Sequence, residues 1–600
     1  MSSPPPASFP GYATSRPSPT RAPSPRLASI TAAALVASLL AACGGSSGGS
    51  SPAPATSTSP PPVSTPAPPP PVGTPAPPPG GPTPPPPPSS AEATRLLDQA
   101  TFGPTEATVA LVQSQGVSAW VDNQLATPTT GYAAIAYIDA NSAVGCPTGA
   151  AATCFRDNYT PFPLQLQFFK NATAGADQLR QRVAFAYSQI FVISGIDIKP
   201  AYGMRAYQQM LLDNAFVNYR TLIERVTLHP AMGDYLDMVN NDKPTATVQA
   251  NENYAREVLQ LFSIGLSKLD ADGTVVKDAN GVAVPSYDQS VVQSFARAFT
   301  GWTYAPLAGA TSRWTNAINY LGDMVPFETY HDAAAKTLLD GKVLPAGQTA
   351  TKDLADALDT IYQHPNVGTF IGRQLIQALV TSNPTPAYVA RITAVFNDNG
   401  SGVRGDMKAV IRAILLDPEA RGDVKTDAGY GKLHDPAVFA MSVARAVGVT
   451  SDGVYLAAQS SAMGQNVFTP GSVFSFYPPD YSLPGSATLD GPQFGVQNTT
   501  TTVERLNYLY ALLNTTIAAD ASVPGSTGTQ ISLAPYQALA ATPSALVDKL
   551  DTLMTHTTMT TAEKAAIVNA VGAVAATDTL GRARMAVYLV AASPRYQINR

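Results

Sequence analysis

Between Ser51 and Ser90 the chain places 20 of its 54 prolines, and from Gly44 to Ser90 it has no charged residue. A Pro/Ser/Thr/Ala tract of this kind loses backbone donors and offers no apolar surface to bury. It is expected to stay disordered and extended, much of it as polyproline II. At ~3.1 Å per residue such a tether reaches on the order of 100 Å. A folded body therefore begins near Ala91.

The segment before the tract has the layout of a bacterial export signal. Leu27 to Ala42 is apolar and rich in small residues, follows Arg16, Arg21 and Arg26, and contains no acid. The run is too short and too Ala-rich for a membrane span. It closes on Leu40-Ala41-Ala42-Cys43, followed by Gly44-Gly45, which reads as a lipobox with Cys43 as the lipid-modified residue. Gly44 in place of Asp points to the outer membrane of a two-membrane envelope. The expected organisation is a signal peptide over 1–42, a lipidated cysteine and linker over 43–90, and a body over 91–600.

Subtracting the three arginines of the signal from the net charge of −5 leaves −8, all of it on the body. Lys and Arg are spread along the chain with no basic stripe, so nucleic-acid binding is set aside. Cys146 and Cys154 flank a Pro-Thr-Gly-Ala segment in an exported chain, where disulfides persist, and they are expected to close a small loop. No second Cys/His pair lies near them, which disfavours metal binding there.

From Ala91 onward the apolar spacing is helical. Residues 175–194 form one such segment; 351–363, 366–382, 385–400 and 403–416 form four more. The last hundred residues add 499–516, 535–555, 560–574 and 577–592. The β signal is a single hairpin, Gly273–Val276 against Val282–Val284, turning at Asn280-Gly281. The expected fold is mostly α, a large multi-helix body with a small β-hairpin insertion. The irregular 460–498 stretch either divides two helical domains or is a long loop packed over one core.

Two clusters carry chemistry-bearing residues. The first holds His229, Asp234, Asp237, Asn240, Asn241 and Asp242, then Asn251–Glu257. Asn253 reads as an N-cap, and Glu252 and Arg256 stand at ion-pair spacing on a helix. One reading makes Glu252, Glu257 and the aspartates an acidic pocket, with Glu252 and Glu257 for acid/base work and His229, Asp234 and Asp237 for a divalent cation. The other makes Arg256 and Glu257 ion-pair partners within the fold. The second cluster runs from Arg297 through Phe299-Thr300-Gly301-Trp302 to His331-Asp332 and Lys336. His331-Asp332 reads either as a metal or proton-relay pair or as a helix cap supported by Lys336. His364 and His434 read as helix-start residues, and His556, among threonines, as exposed. The sequence holds no HExxH, P-loop or dinucleotide fingerprint, and its one GxSxG, Gly44–Gly48, falls at the base of the linker.

In this order these stretches resemble the bacterial domain-of-unknown-function family 1800. The likeness runs through Leu96–Thr105, Asn253–Glu257, Leu261–Gly265, Phe299–Trp302, His331-Asp332, Gly429–Leu433, Val473–Tyr477 and Ser593–Tyr596. The resemblance implies an exported, largely helical protein with no established activity, and a phosphatase- or sulfatase-like exported partner. Many members carry Trp-x-Asn-His-Phe where this chain has Tyr187-Ser188-Gln189-Ile190-Phe191, so a metal site built on that histidine is not available here. Two functions follow. One is a tethered lipoprotein that binds a protein or polysaccharide, with the aromatic-rich Phe468–Phe494 as its contact surface. The other is a hydrolase using an acidic or metal-assisted pocket of Asp234, Glu252, Glu257, His331 and Asp332.

Overall fold

The computed structural model describes residues 86–422, 425, 427 and 429–600; the expected signal peptide, Cys43 and the expected linker up to residue 85 lie outside them. Among the described residues there are 24 α-helices and four small two-stranded sheets. The chain is mostly α, as its apolar spacing predicts. Gln178–Ile190, Ala350–Gln363, Asn366–Leu379, Pro386–Asn397, Met407–Leu416, Thr499–Asn514, Thr561–Ala573 and Thr579–Ala592 fall where the periodicity places them. Their starts are set locally. The side chains of Thr349, Thr385, Asp406, Asn498 and Thr560 each accept from the backbone N–H three residues on, satisfying a donor the helix leaves free.

Three expectations are corrected. The segment 535–555 is two helices, Ala534–Gln537 and Pro543–Thr555. Pro543 has no N–H to donate inside a helix, and it opens the second one instead. The β insertion is more than one hairpin: bridges Leu269↔Val275, Lys277↔Ala283 and Ser267↔Pro285 join three short segments, each to the other two. Its second turn is the expected one, with Gly281 N–H donating to Asp278 O at 3.0 Å. Finally, Asn253 does not cap its helix by its own side chain. Asn251 Oδ1 accepts from Asn253 N–H at 2.9 Å.

The body is organised around Pro436–Ala446, a helix whose eleven residues are all buried. Phe162–Ala174, Val454–Ala462 and Thr499–Asn514 pack against it. Arg445, near its C-terminal end, donates to Gly103 O and Thr173 O, both at 2.7 Å. The two ends of the body are joined beside it. Ser90–Ala100 lies on Pro543–Thr555, Lys432–Leu433 pairs antiparallel with Ile598–Asn599, and Arg95 Nε donates to Arg600 O at 3.0 Å. The 460–498 stretch is anchored to the body at its start, where Gly195 N–H donates to Phe468 O at 2.8 Å and Phe468 meets Phe168 edge-on. Cys146 and Cys154 form a disulfide with Cα atoms 5.8 Å apart.

Gly103 shows how tightly the central helix is held. Its φ is +121°, and a Cβ there would lie 2.5 Å from the Ser442 Cα. Backbone on both sides of the contact leaves nothing to swing aside. Gly103→Ala is expected to cost about 3 kcal/mol or more, from strain and overpacking together. A urea midpoint within error of the parent would contradict this packing.

Candidate functional site

The sequence-nominated groups are drawn into separate internal networks. His331 does not start a helix: it follows a short 3-10 turn, Glu328–Tyr330, and Lys336 lies in a strand. The chain reaches Thr300 and turns at Gly301, whose φ is +83° and whose missing side chain leaves room for His331, its backbone N 2.9 Å from where a Cβ would stand. That contact presses His331 into the interior. Its Nδ1 faces Thr300 O at 3.0 Å and its Nε2 faces Asp353 Oδ2 at 3.0 Å. Lys336 Nζ donates to the same Asp353 oxygen at 2.6 Å. Burial raises the Asp353 carboxyl, but hydrogen bonds from His331 and Lys336 outweigh it and hold the group below its ordinary value. Asp332 takes Arg297 Nε at 2.6 Å and the Ala334 N–H at 2.8 Å. Lys336 therefore serves Asp353, not a helix cap.

The first cluster is divided in the same way. Glu252 Oε2 accepts from Arg256 at 2.8 Å, the pair its spacing predicts, and from Gln289 at 2.7 Å. Gln289 and Arg297 mark opposite ends of the Gln289–Ala298 helix. At 1.5 Å per residue, Glu252 and Asp332 are thus fastened to points about 12 Å apart along its axis. Asp237 accepts from Asn253 Nδ2 at 2.6 Å, and Asp234 accepts from the Tyr320 hydroxyl. His229 caps Pro230–Tyr235 through Nδ1. Among the described residues no group of three or more His, Cys, Asp or Glu is placed to hold a metal ion. Asp242 is exposed, and Glu257 is the buried exception to this internal pairing. Its Oε2 is buried without a hydrogen-bond partner, and burial raises its carboxyl while the neighbouring Arg256 charge only partly offsets that.

Two concavities stand out. A cleft of about 530 Å³ runs between Ser286–Arg297 and Ala335–Gly341. It is open, and two of its charged residues are already committed: Asp288 caps the helix below it and Arg297 holds Asp332, which leaves the exposed Asp340 at its edge. The second, about 60 Å³, is smaller and more constructed. Gln189 and Ile190 come from one helix, Gln374, Gln377 and Ala378 from another, and Lys432 and Asp435 from the approach to the central helix. Tyr477, Pro479, Pro492 and Gln493 close it from the 460–498 stretch.

Charge is concentrated here. Lys432 Nζ donates to Ala378 O at 2.6 Å and lies 3.7 Å from Asp435 Oδ2. Arg182 donates to the same carbonyl at 3.0 Å. Two cations thus meet the C-terminal end of Asn366–Leu379, the end that favours positive charge. Burial nonetheless pushes Lys432 down to about 8. Asp435 Oδ1, Gln374 Nε2 and Gln493 Oε1 are buried with no hydrogen-bond partner among the described residues.

A family model described as a protein of unknown function (DUF1800) matches residues 95–598. The chain belongs to this family. No curated protein and no solved structure matches it. In this family member Gln189 and Ile190 line the small cavity.

Sequence reading missed Lys432, Asp435, Gln374, Gln493 and Arg182 as one site, because they come from four separate stretches. A signal was present: Lys432-Leu433-His434-Asp435 sets three ionisable groups directly before an Ala/Val-rich helix that can only be buried. His556 was the opposite case. It is 2 % exposed, with Nε2 on Asp98 Oδ2 at 2.6 Å.

Two buried histidines give the body a defined acid response. Burial lowers His229 to about 3 and His434 to about 4. Above about pH 6.5 neither the native nor the unfolded chain protonates them. As pH falls below that value the unfolded chain takes up protons the native state refuses, so stability is lost, by about 2 kcal/mol per histidine between pH 7 and 5. His229→Asn, which keeps a capping side chain, is expected to flatten the fall by one such increment in urea titrations at the two pH values. An unchanged slope would show that His229 is not held neutral.

Proposed function

We propose that this protein is a lipid-anchored component of the bacterial cell envelope whose helical body binds a ligand or partner and does not catalyse. The observation that carries this reading is the internal pairing just described. Apart from Glu257 and the exposed Asp242, each acid or histidine the sequence nominates for the two clusters is held by a neighbour within the body. The lipobox at Leu40–Cys43 supports the anchor, and the uncharged proline tract supports a tether. The Cys146–Cys154 disulfide fits an oxidising compartment outside the cytoplasm. No helix among the described residues is long and apolar enough to cross a membrane. This reading places attachment on a lipid at Cys43, with Gly44 favouring the outer membrane. The family resemblance nominates an exported phosphatase- or sulfatase-like protein as partner.

Cys43→Ser is expected to move the protein from the membrane fraction to the soluble fraction and to abolish the mass of a lipidated N-terminal peptide. Retention of the variant in the membrane fraction would remove the anchor from the proposal.

One observation favours a second reading, a hydrolase with Glu257 as proton donor. Its carboxyl is raised by burial, and Tyr235 and Tyr287, both pushed up to about 12 by burial, sense its charge. Full-length protein and its Glu257→Gln variant, assayed on phosphate-ester, sulfate-ester and glycoside substrates with and without chelator, separate the two. The binding reading expects no turnover dependent on Glu257 or on a divalent ion. Activity lost in a folded Glu257→Gln variant would establish the enzyme.

A further inference from the structure

Resting on the binding reading, we infer that the small cavity between Gln189, Gln374, Lys432, Asp435 and Gln493 receives the hydroxyl-bearing edge of a neutral carbohydrate. The argument is one of donors and acceptors. Asp435 Oδ1 and Gln493 Oε1 are buried acceptors without partners, and Gln374 Nε2 is a buried donor without one. Lys432 has three ammonium protons, and Ala378 O takes one of them. Leaving such groups unpaired is costly, about 1–3 kcal/mol for each.

An anion supplies acceptors only and would confront Asp435 and the Gln493 carbonyl. An ammonium supplies donors only and would confront Lys432 and Arg182. A hydroxyl both donates and accepts, and a neighbouring pair of hydroxyls does so twice. Volume agrees. At ~15 Å³ of such space per water-sized group, about 60 Å³ admits a few oxygens, the edge of a sugar ring and not the whole ring.

The rim supplies the rest. Tyr477 and the prolines Pro479 and Pro492 border the cavity, and the Tyr477 hydroxyl is held by Gln189 Oε1 at 3.0 Å. Gly495 brings Tyr477 and Tyr481 together, its absent side chain leaving Tyr477 Cβ 2.8 Å and Tyr481 Cδ2 3.6 Å from where a Cβ would stand. Tyr481 and Phe474 are exposed on the same segment. Aromatic and proline faces beside a few convergent polar groups are what a ring with C–H faces and an O–H edge requires. A stretch that reads from sequence as a contact surface thus provides one wall of the site.

The test uses the full-length protein on an array of neutral and acidic oligosaccharides, with glucose, galactose, mannose, acetate and phosphate titrated in solution. The expected result is binding to at least one neutral glycan. Gln374→Leu and Gln493→Leu should each weaken it at least about tenfold while leaving the melting temperature equal or higher, because each removes an unpaired buried polar group. Preservation of folding with loss of binding is a signature a structural glutamine would not give. Capture of oligosaccharides alone points to a polymer end; capture of free hexoses points to a monosaccharide.

Binding of acetate or phosphate in place of neutral glycans would overturn the proposal, as would binding of nothing on the array. Glycan binding indifferent to both variants would also overturn it while leaving the envelope-binding reading intact. Failure of that reading would show separately, as a membrane-independent protein or as Glu257-dependent turnover.

Discussion

The buried charge at the head of the Pro436–Ala446 helix governs the rest of the molecule. Lys432, Asp435, Arg182 and Arg505 lie out of water there, and burial pushes both Lys432 and Arg505 down, Arg505 to about 10. Ions in such surroundings persist only where surrounding groups are fixed well enough to answer them. The partners come from every part of the chain: Ala378 O from the middle, His434 O and Gln597 Oε1 on Arg505 from both sides of the helix. Gln465 Oε1 takes the free Ala437 N–H at 2.9 Å, completing the helix start. Packing the central helix and satisfying its charges are therefore one requirement.

That requirement explains why the ends of the body meet. Asp98 on the first helix holds His556 near the last ones, while His556 Nδ1 and Arg95 Nε both address Arg600 O. A charge removed from one part of this mesh leaves another unanswered, so these charged residues have an architectural role in this chain. His331, Lys336 and Asp353 repeat the pattern beside Gly301. The cavity lined by Gln374, Asp435 and Gln493 departs from it, since there the mesh leaves polar groups without partners.

Much of the fold was legible because helix periodicity and capping are local. The Asn366–Leu379, Pro386–Asn397 and Met407–Leu416 helices announce themselves through apolar spacing bounded by Pro and Asn-Gly. The 535–555 error arose where composition stayed helical while Pro543 removed a donor. The candidate site was largely illegible. Glu252 and Arg256 pair as their spacing predicts, but His331-Asp332 resembles a helix cap and is instead pressed inward by a glycine thirty residues earlier. His556, set among polar neighbours, gives no sign that Asp98 lies behind it. Partners separated by hundreds of residues leave no periodic trace.

By itself the sequence determined the helical class, the family and the pairing of Cys146 with Cys154, because each depends on local pattern or on the order of motifs. It also carries the proline tract and the Leu40–Cys43 pattern behind the proposed anchor, features that need no fold to be read. Only the tertiary structure decided which charges are buried, which of them answer one another, and where polar groups remain unanswered. Burial and hydrogen-bond partnership are properties of the packed body, created when distant stretches such as Gln374, Lys432 and Gln493 are brought to one wall.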